Sequence, residues 1–192
     1  MDLILLEPGD PELIFGKESN DWATGGSLID NVWRDSDALK DLGKCVELVS
    51  MQQGMKQPIT SDVSSAARTS GRPVITEFTC VKYVDQTSVR MYDLLLRAQP
   101  LGSGADKPTK LYIARNSGDK TVNIITIWLR DAMISEIQVQ THPNDMPTEQ
   151  FKLSFTEILW RYAVQLADTK VAEQRLTGWS LTRNRPITEF TS

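Results

Sequence analysis

The chain has 192 residues, 40% of them hydrophobic and 24% charged, with a formal net charge of −4. That suits a soluble globular protein of one domain, or of one domain plus extensions, with a sizeable core. The acidic balance supplies no basic face for a nucleic-acid backbone, and no run of about 18 apolar residues is present to span a membrane.

Asp2–Leu6 reads as a first strand, and the opening MDLILLEPGDPE lacks the leading positive charge of a secretory signal. Residues 7–43 are rich in turn formers and acids, so they read as a long excursion with a helical turn around Asp35–Leu42. Trp22 and Trp33 lie in it, and anchoring it on the barrel is a better reading for them than binding a partner. KCVELVSMQQ (44–53) is strand-like. GMKQPITSDVSSAARTSGRP (54–73) is polar, with Gly and Pro at both ends, and predicts an extended, mobile loop.

VITEFTCVKYV (74–84) is dense in β-branched and aromatic residues and predicts a strand. Thr87 or Ser88 then caps a helix over Val89–Gln99, with Met91, Leu94, Leu95 and Ala98 as its apolar stripe and Asp93 spaced to pair with Arg97. Lys110–Ala114 is a short strand, RNSGDK (115–120) a hairpin turn, and residues 121–140 a long strand bent near Arg130–Asp131. In residues 150–164 the apolar phase changes: Phe151, Leu153 and Phe155 are odd, whereas Ile158, Trp160 and Tyr162 are even. Facing one core from both sets requires one extra residue, which predicts a β-bulge at Thr156–Glu157. Residues 165–177 read as a polar connection and Trp179–Leu181 as a final short strand. The two cysteines, Cys45 and Cys80, read as buried reduced thiols of a chain made in the cytosol, with a disulfide between them as the alternative.

Many strands, one helix and long polar loops predict an all-β barrel or two-sheet sandwich with the helix packed outside. The expected core includes Phe78, Leu95, Phe155, Trp160 and Tyr162. Chemistry is harder to place. The single histidine, His142, lies in a turn with no second ligand nearby. No GxxxxGK[ST] or GxSxG is present, and no nucleophile, base and orienter can be nominated together. The expectation is a protein that is not an enzyme and holds no metal or cofactor.

Six segments, in order, resemble the Hcp family, the tube proteins of bacterial type VI secretion systems. They are IFGKES (14–19), CVELVSMQQGMKQP (45–58), RTSGRPVITEFTCVKYVDQTSVRMYDLL (68–95), DAMISEIQ (131–138), EQFKLSFTEILWRYAVQ (149–165) and GWSLTRN (178–184). Each is weak alone; their order makes the resemblance specific. The chain departs from the family in its long acidic segment at about 20–43 and in the tail beyond GWSLTRN, and it carries Val164-Gln165 where Pro-Gln is commoner.

The resemblance implies a single domain over residues 1–192, built as a two-sheet β-barrel with one short flanking α-helix and a long extended loop. It further implies homohexameric rings that stack into a tube, with sheath, spike, baseplate and effector proteins as partners. It also implies a protein made in the bacterial cytoplasm and exported without a cleaved signal peptide. Two surfaces then follow. Met55, Gln57, Pro58, Ile59, Thr60, Arg68 and Thr69 in the extended loop are expected to contact a neighbouring subunit or ring. Gln52 or Gln53 is expected to face the lumen and its cargo, since alternation points only one of them inward. A monomeric β-barrel that binds small ligands or peptides is the alternative.

The chain also echoes itself: RPVITEFT at 72–79 returns as RPITEFT at 185–191. The flanking residues differ, so this is no duplicated domain. The expectation is that the tail, about residues 185–192, adds itself to a sheet edge in its own subunit or a neighbour, with a frayed end of chance similarity as the alternative.

Overall fold

A computed structural model describes residues 2–16, 42–61, 68–117, 120–165 and 171–191. The excursion's helical turn at 35–42, Trp22 and Trp33 therefore lie outside the described residues, apart from Leu42.

Fifteen strands and two helices are described. In order they are β1 (Asp2–Glu7), α1 (Pro11–Phe15), β2 (Val46–Leu48), β3 (Ser50–Gln52), β4 (Met55–Lys56), β5 (Ile59–Ser61), β6 (Arg68–Ser70), β7 (Val74–Ile75), β8 (Phe78–Tyr83), α2 (Gln86–Leu96), β9 (Thr109–Ser117), β10 (Lys120–Arg130), β11 (Met133–Gln140), β12 (Thr148–Ser154), β13 (Glu157–Gln165), β14 (Val171–Ser180) and β15 (Arg185–Ile187). They form a seven-stranded sheet, β15-β14-β13-β10-β9-β1-β2, a four-stranded sheet, β11-β12-β8-β3, and two short pairs, β4-β7 and β5-β6. The all-β, two-sheet architecture with a flanking helix matches the sequence reading. The barrel is not closed by hydrogen bonds among the described residues; its two sheets face each other across one core.

That core joins Leu6, Leu111, Ile127, Leu129 and Ile158 of the large sheet to Phe78, Phe151, Leu153 and Ile134 of the small one. Phe78 and Phe155 are buried, with ring centroids 5.7 Å apart, while Leu95 and Trp160 pack half-buried against the cluster. Tyr162 is a correction: it is 47% exposed. Alternation puts it on the same face as Trp160, but its strand partners are Ile125 and Arg175, and the buried cluster ends at Trp160. Periodicity fixes a residue's face, not how far the opposing sheet reaches.

The phase change at 155–156 is not a bulge. β12 belongs to the small sheet and β13 to the large one, and the chain crosses between them at Phe155–Thr156. The N–H of Thr156 donates to the carbonyl of Arg130 (3.1 Å), and the N–H of Leu181 donates to that of Thr156 (3.0 Å). Beside it, β10 turns into β11 through Asp131, whose φ of 49° is left-handed. So the expected bend near Arg130–Asp131 and the expected extra residue are two halves of one corner, where a strand pair switches sheets.

Helix α2 starts earlier than its sequence pattern indicates. Asp85 is the N-cap: its Oδ1 accepts from the N–H of Thr87 (2.8 Å), and Ser88 Oγ accepts from the N–H of Asp85 (3.0 Å). Ser88 is thus the reciprocal partner of a capping box rather than the cap. Met91 and Leu94 are buried, Ala98 lies past the helix end, and Arg97 Nε pairs with Asp93 Oδ1 at 2.7 Å. The segment expected as a polar connection, 165–177, is largely β14. Both cysteines are free and buried.

A charged cluster ties α2 to the small sheet. Lys82, 1% exposed, donates from Nζ to Asp85 Oδ1 (3.0 Å), Ser88 Oγ (3.0 Å) and the carbonyl of Tyr83 (2.9 Å), and forms an ion pair with Glu149, whose Oε1 lies 2.8 Å away. Glu149, fully buried, also accepts from Ser88 Oγ (2.8 Å) and Tyr92 Oη (2.7 Å). Every buried charge here has partners, which such a site requires.

Candidate assembly surfaces

The segment expected as a mobile loop is a β-ribbon. From Gly54 the two sides are held by Gly54 N–H to Thr76 Oγ1 (2.8 Å) and Thr76 N–H to the Gly54 carbonyl (2.9 Å), then by Met55 opposite Ile75 and Lys56 opposite Val74. Gly71 N–H donates to the Pro58 carbonyl (2.9 Å) and Gln57 Nε2 to that of Gly71 (2.5 Å); beyond them Ile59 pairs with Ser70, Thr60 with Thr69 and Ser61 with Arg68. The sequence reading missed this because Gly54, Pro58, Gly71 and Pro73 weaken the strand signal and few apolar residues alternate along the segment. Of the seven expected contact residues, Met55, Gln57, Pro58 and Ile59 are exposed on this ribbon. For Thr60, Arg68 and Thr69 only the backbone pairing is described. Met55 is 65%, Ile59 60% and Val74 52% exposed. An isolated two-stranded ribbon is marginal in water, so this arm presents unburied apolar side chains on a scaffold with little support of its own.

The outward face of the four-stranded sheet is its chemical opposite. Gln52 stands opposite Thr79, Thr79 opposite Lys152, and Lys152 opposite Glu136, making one polar row across all four strands. Ser50, Val81, Gln150 and Gln138 make the next, polar except for Val81. Between these rows Met51, Cys80, Phe151 and Ile137 point to the core. Alternation thus separates the two glutamines: Gln52 lies on the polar face, while Gln53 follows the strand and donates from Nε2 to the Thr76 carbonyl at the root of the arm (3.5 Å). Lys152 Nζ sits 2.5 Å from Glu136 Oε2, and that bond holds the carboxyl of Glu136 below its usual range and the amine of Lys152 above its own. Ser135 Oγ donates to Glu77 Oε2 at 2.9 Å. The face offers amides, hydroxyls and paired charges, with little apolar area to hold a passing protein.

The third surface is the tail. β15 pairs antiparallel with the end of β14, setting Ile187 opposite Gly178, Pro186 opposite Trp179 and Arg185 opposite Ser180. The echo therefore does add itself to a sheet edge, in its own chain. Pro186 is tolerated because β15 is the outermost strand. Gly178 is required: a Cβ there would lie 2.3 Å from Leu159 Cδ2 and 2.6 Å from the Ile158 carbonyl oxygen. Beyond β15, Thr191 returns to Glu157, which is 1% exposed: its N–H reaches Oε2 at 2.9 Å and its Oγ1 reaches Oε1 at 2.7 Å. Arg130 Nη1 also donates to Glu157 Oε2 (3.2 Å), to Thr191 Oγ1 (2.9 Å) and to the Thr191 carbonyl. Burial pushes the carboxyl of Glu157 up, but the bonds from Thr191, Ser180 and Arg130 outweigh it and hold the group down at about 2. The first copy of the echo meets the same place, for Arg72 Nη2 donates to the Leu181 carbonyl. Sequence reasoning did not find Glu157, Arg130 or Thr191 as partners, because residues so far apart along the chain carry no local signal.

His142 is exposed, with its Nε2 2.9 Å from Gln140 Nε2. No helix of the described residues is long and apolar enough to cross a membrane.

These surfaces can be set beside known proteins. No curated protein matches the sequence. Among solved structures, one described as a type six secretion system protein superposes with a TM-score of 0.69 at 20% identity, covering 97% of this chain and 98% of the other. Hcp1 from Salmonella typhimurium gives a TM-score of 0.62 at 13% identity, with coverage of 97% and 99%. Hcp3 from Pseudomonas aeruginosa, described as a secreted protein, gives 0.53 at 12% identity, with coverage of 92% and 97%. At these identities the likeness establishes the fold. The family described as type VI secretion system effector, Hcp, matches residues 39–162. That stretch runs from just before β2, through β3, the arm and α2, past the corner where the sheets join and into β13, and the chain belongs to the Hcp family of type VI secretion tube-type proteins.

Proposed function

We propose that this chain is one tube domain over residues 1–192 that works by assembling with itself: six copies form a ring, and rings stack into the inner tube of a type VI secretion system. The polar face with Gln52 lines the lumen and meets effectors in transit. The arm at 54–76 lies on a neighbouring subunit or ring, where Met55, Pro58 and Ile59 bury apolar area and Thr60, Arg68 and Thr69 contribute polar contacts. Sheath, spike and baseplate proteins are the partners outside the tube, and the protein leaves the cell through the secretion system. Its function is then packing and passage rather than bond-making.

The observation that carries this reading is the arm. A ribbon with Met55, Ile59 and Val74 more than half exposed gains stability only when another surface covers it. A heterologous contact repeated around a closing rotation gives a ring. Native mass spectrometry and negative-stain imaging of the purified chain test it. Hexamers and annular particles are expected, and Met55→Asp/Ile59→Asp should shift the assembly to smaller species while leaving the β-sheet circular dichroism spectrum unchanged, as exposed substitutions leave the fold nearly untouched. A single-copy particle at high concentration would overturn the assignment in favour of a monomeric ligand-binding barrel.

A further inference from the structure

We infer that the C-terminal strand is exchangeable between copies: the receptor that residues 185–191 fill in their own chain accepts the same segment from a neighbouring copy of this protein. The inference rests on the assembly proposed above, which brings copies close together.

The receptor is built into the rigid corner of the fold. It consists of the backbone edge at Gly178–Ser180, the space that Gly178 leaves beside Leu159, and the Glu157–Arg130 pair. Ile187 uses that space, its Cγ1 lying 3.1 Å from where a Cβ of Gly178 would stand. Glu157, 1% exposed, takes both Thr191 donors, so the segment's far end is held by charge-assisted bonds at 2.7 and 2.9 Å. These strand and carboxylate contacts go to β10, β13 and β14 and need no covalent tether, so a second copy can make all of them.

The tether itself favours exchange. Residues 181–184 form a short turn between β14 and β15, and Asn184, at its end, takes a left-handed φ of 50°. Short hinge loops are common sites of strand swapping, because opening one gives up few contacts while every other contact is recovered. The hinge also abuts the middle of the arm, where Arg72 donates to the Leu181 carbonyl. The element proposed to reach a neighbour thus touches the residue about which the strand would swing.

The test uses the register. Ser180 and Arg185 are Cα partners, so Ser180→Cys and Arg185→Cys in one chain should close an internal disulfide. The two substitutions placed in separate chains and mixed should form a covalent heterodimer whose yield rises with concentration. Complete internal closure with no heterodimer would overturn the inference. Native mass on the same samples separates the two proposals: rings without heterodimer remove strand exchange alone, whereas heterodimer without rings removes ring assembly alone. A chain lacking Thr182 and Arg183 serves as an independent check, since it cannot close on itself. It should run as a dimer or larger, and a folded single-copy particle would refute exchange.

Discussion

Lys82→Met removes the cation from the cluster between α2 and the small sheet while keeping the length of the side chain. Glu149 then stays fully buried without the ammonium that lay 2.8 Å away. Removing one partner of a buried ion pair costs about 3–5 kcal/mol. Ser88 and Tyr92 still donate to Glu149 at 2.8 and 2.7 Å, which places the expected loss at the lower end, about 3 kcal/mol. For a domain of this size each kcal/mol moves the melting temperature by about 2–4 °C, so the variant should melt roughly 6–12 °C lower. Urea denaturation should show a lower midpoint with an unchanged slope. Lys82→Met/Glu149→Gln removes both charges and leaves an amide that can still meet Tyr92, so it should recover most of the loss. The phenol of Tyr92, pushed up to about 12 by burial and then by its bond to Glu149, should titrate lower in the double variant. The reasoning fails if Lys82→Met melts within about 2 °C of the parent chain, or if adding Glu149→Gln makes it less stable still.

Two further tests address the tail. Glu157 is held at about 2 when folded against an ordinary value of 4.5, so its contribution is present above 4.5 and lost as pH falls toward 2, on the order of 3 kcal/mol. Stability measured from pH 6 to 2 should show this slope, and Glu157→Gln should flatten it while lowering stability at neutral pH. Gly178→Ala places a methyl 2.6 Å from the Ile158 carbonyl oxygen, which cannot rotate away. It should cost about 1–3 kcal/mol and raise hydrogen exchange across 185–191, and unchanged protection there would contradict the packing described.

The legible parts of the fold were those whose signal is local. The density of β-branched and aromatic residues located β8, and the stripe of Met91, Leu94 and Leu95 located α2. The capping box shows the limit of a local rule: Thr87 and Ser88 are good caps by type, but Asp85 holds the position because its oxygen also meets the buried Lys82. The phase change at 155–156 was visible as a count of residues. Whether a bulge or a change of sheet absorbed it depended on Arg130, which is distant in sequence. The arm was legible as an extended segment and as a contact surface, but not as a ribbon, since hydroxyl-rich strands carry little hydrophobic pattern.

The sequence alone determined the class of the molecule and its family, because strand alternation, turn chemistry and six ordered segments are properties of neighbouring residues. It also determined that only one of Gln52 and Gln53 could share a face with Thr79, since side chains alternate along any strand. Tertiary structure decided which one, by setting Met51 against Cys80 in the core. It decided that Tyr162 is exposed, that Glu157 is a receptor for Thr191, and that the tail's partner is β14. Each of these depends on which distant segment arrives opposite, and a linear sequence does not encode that in any local pattern.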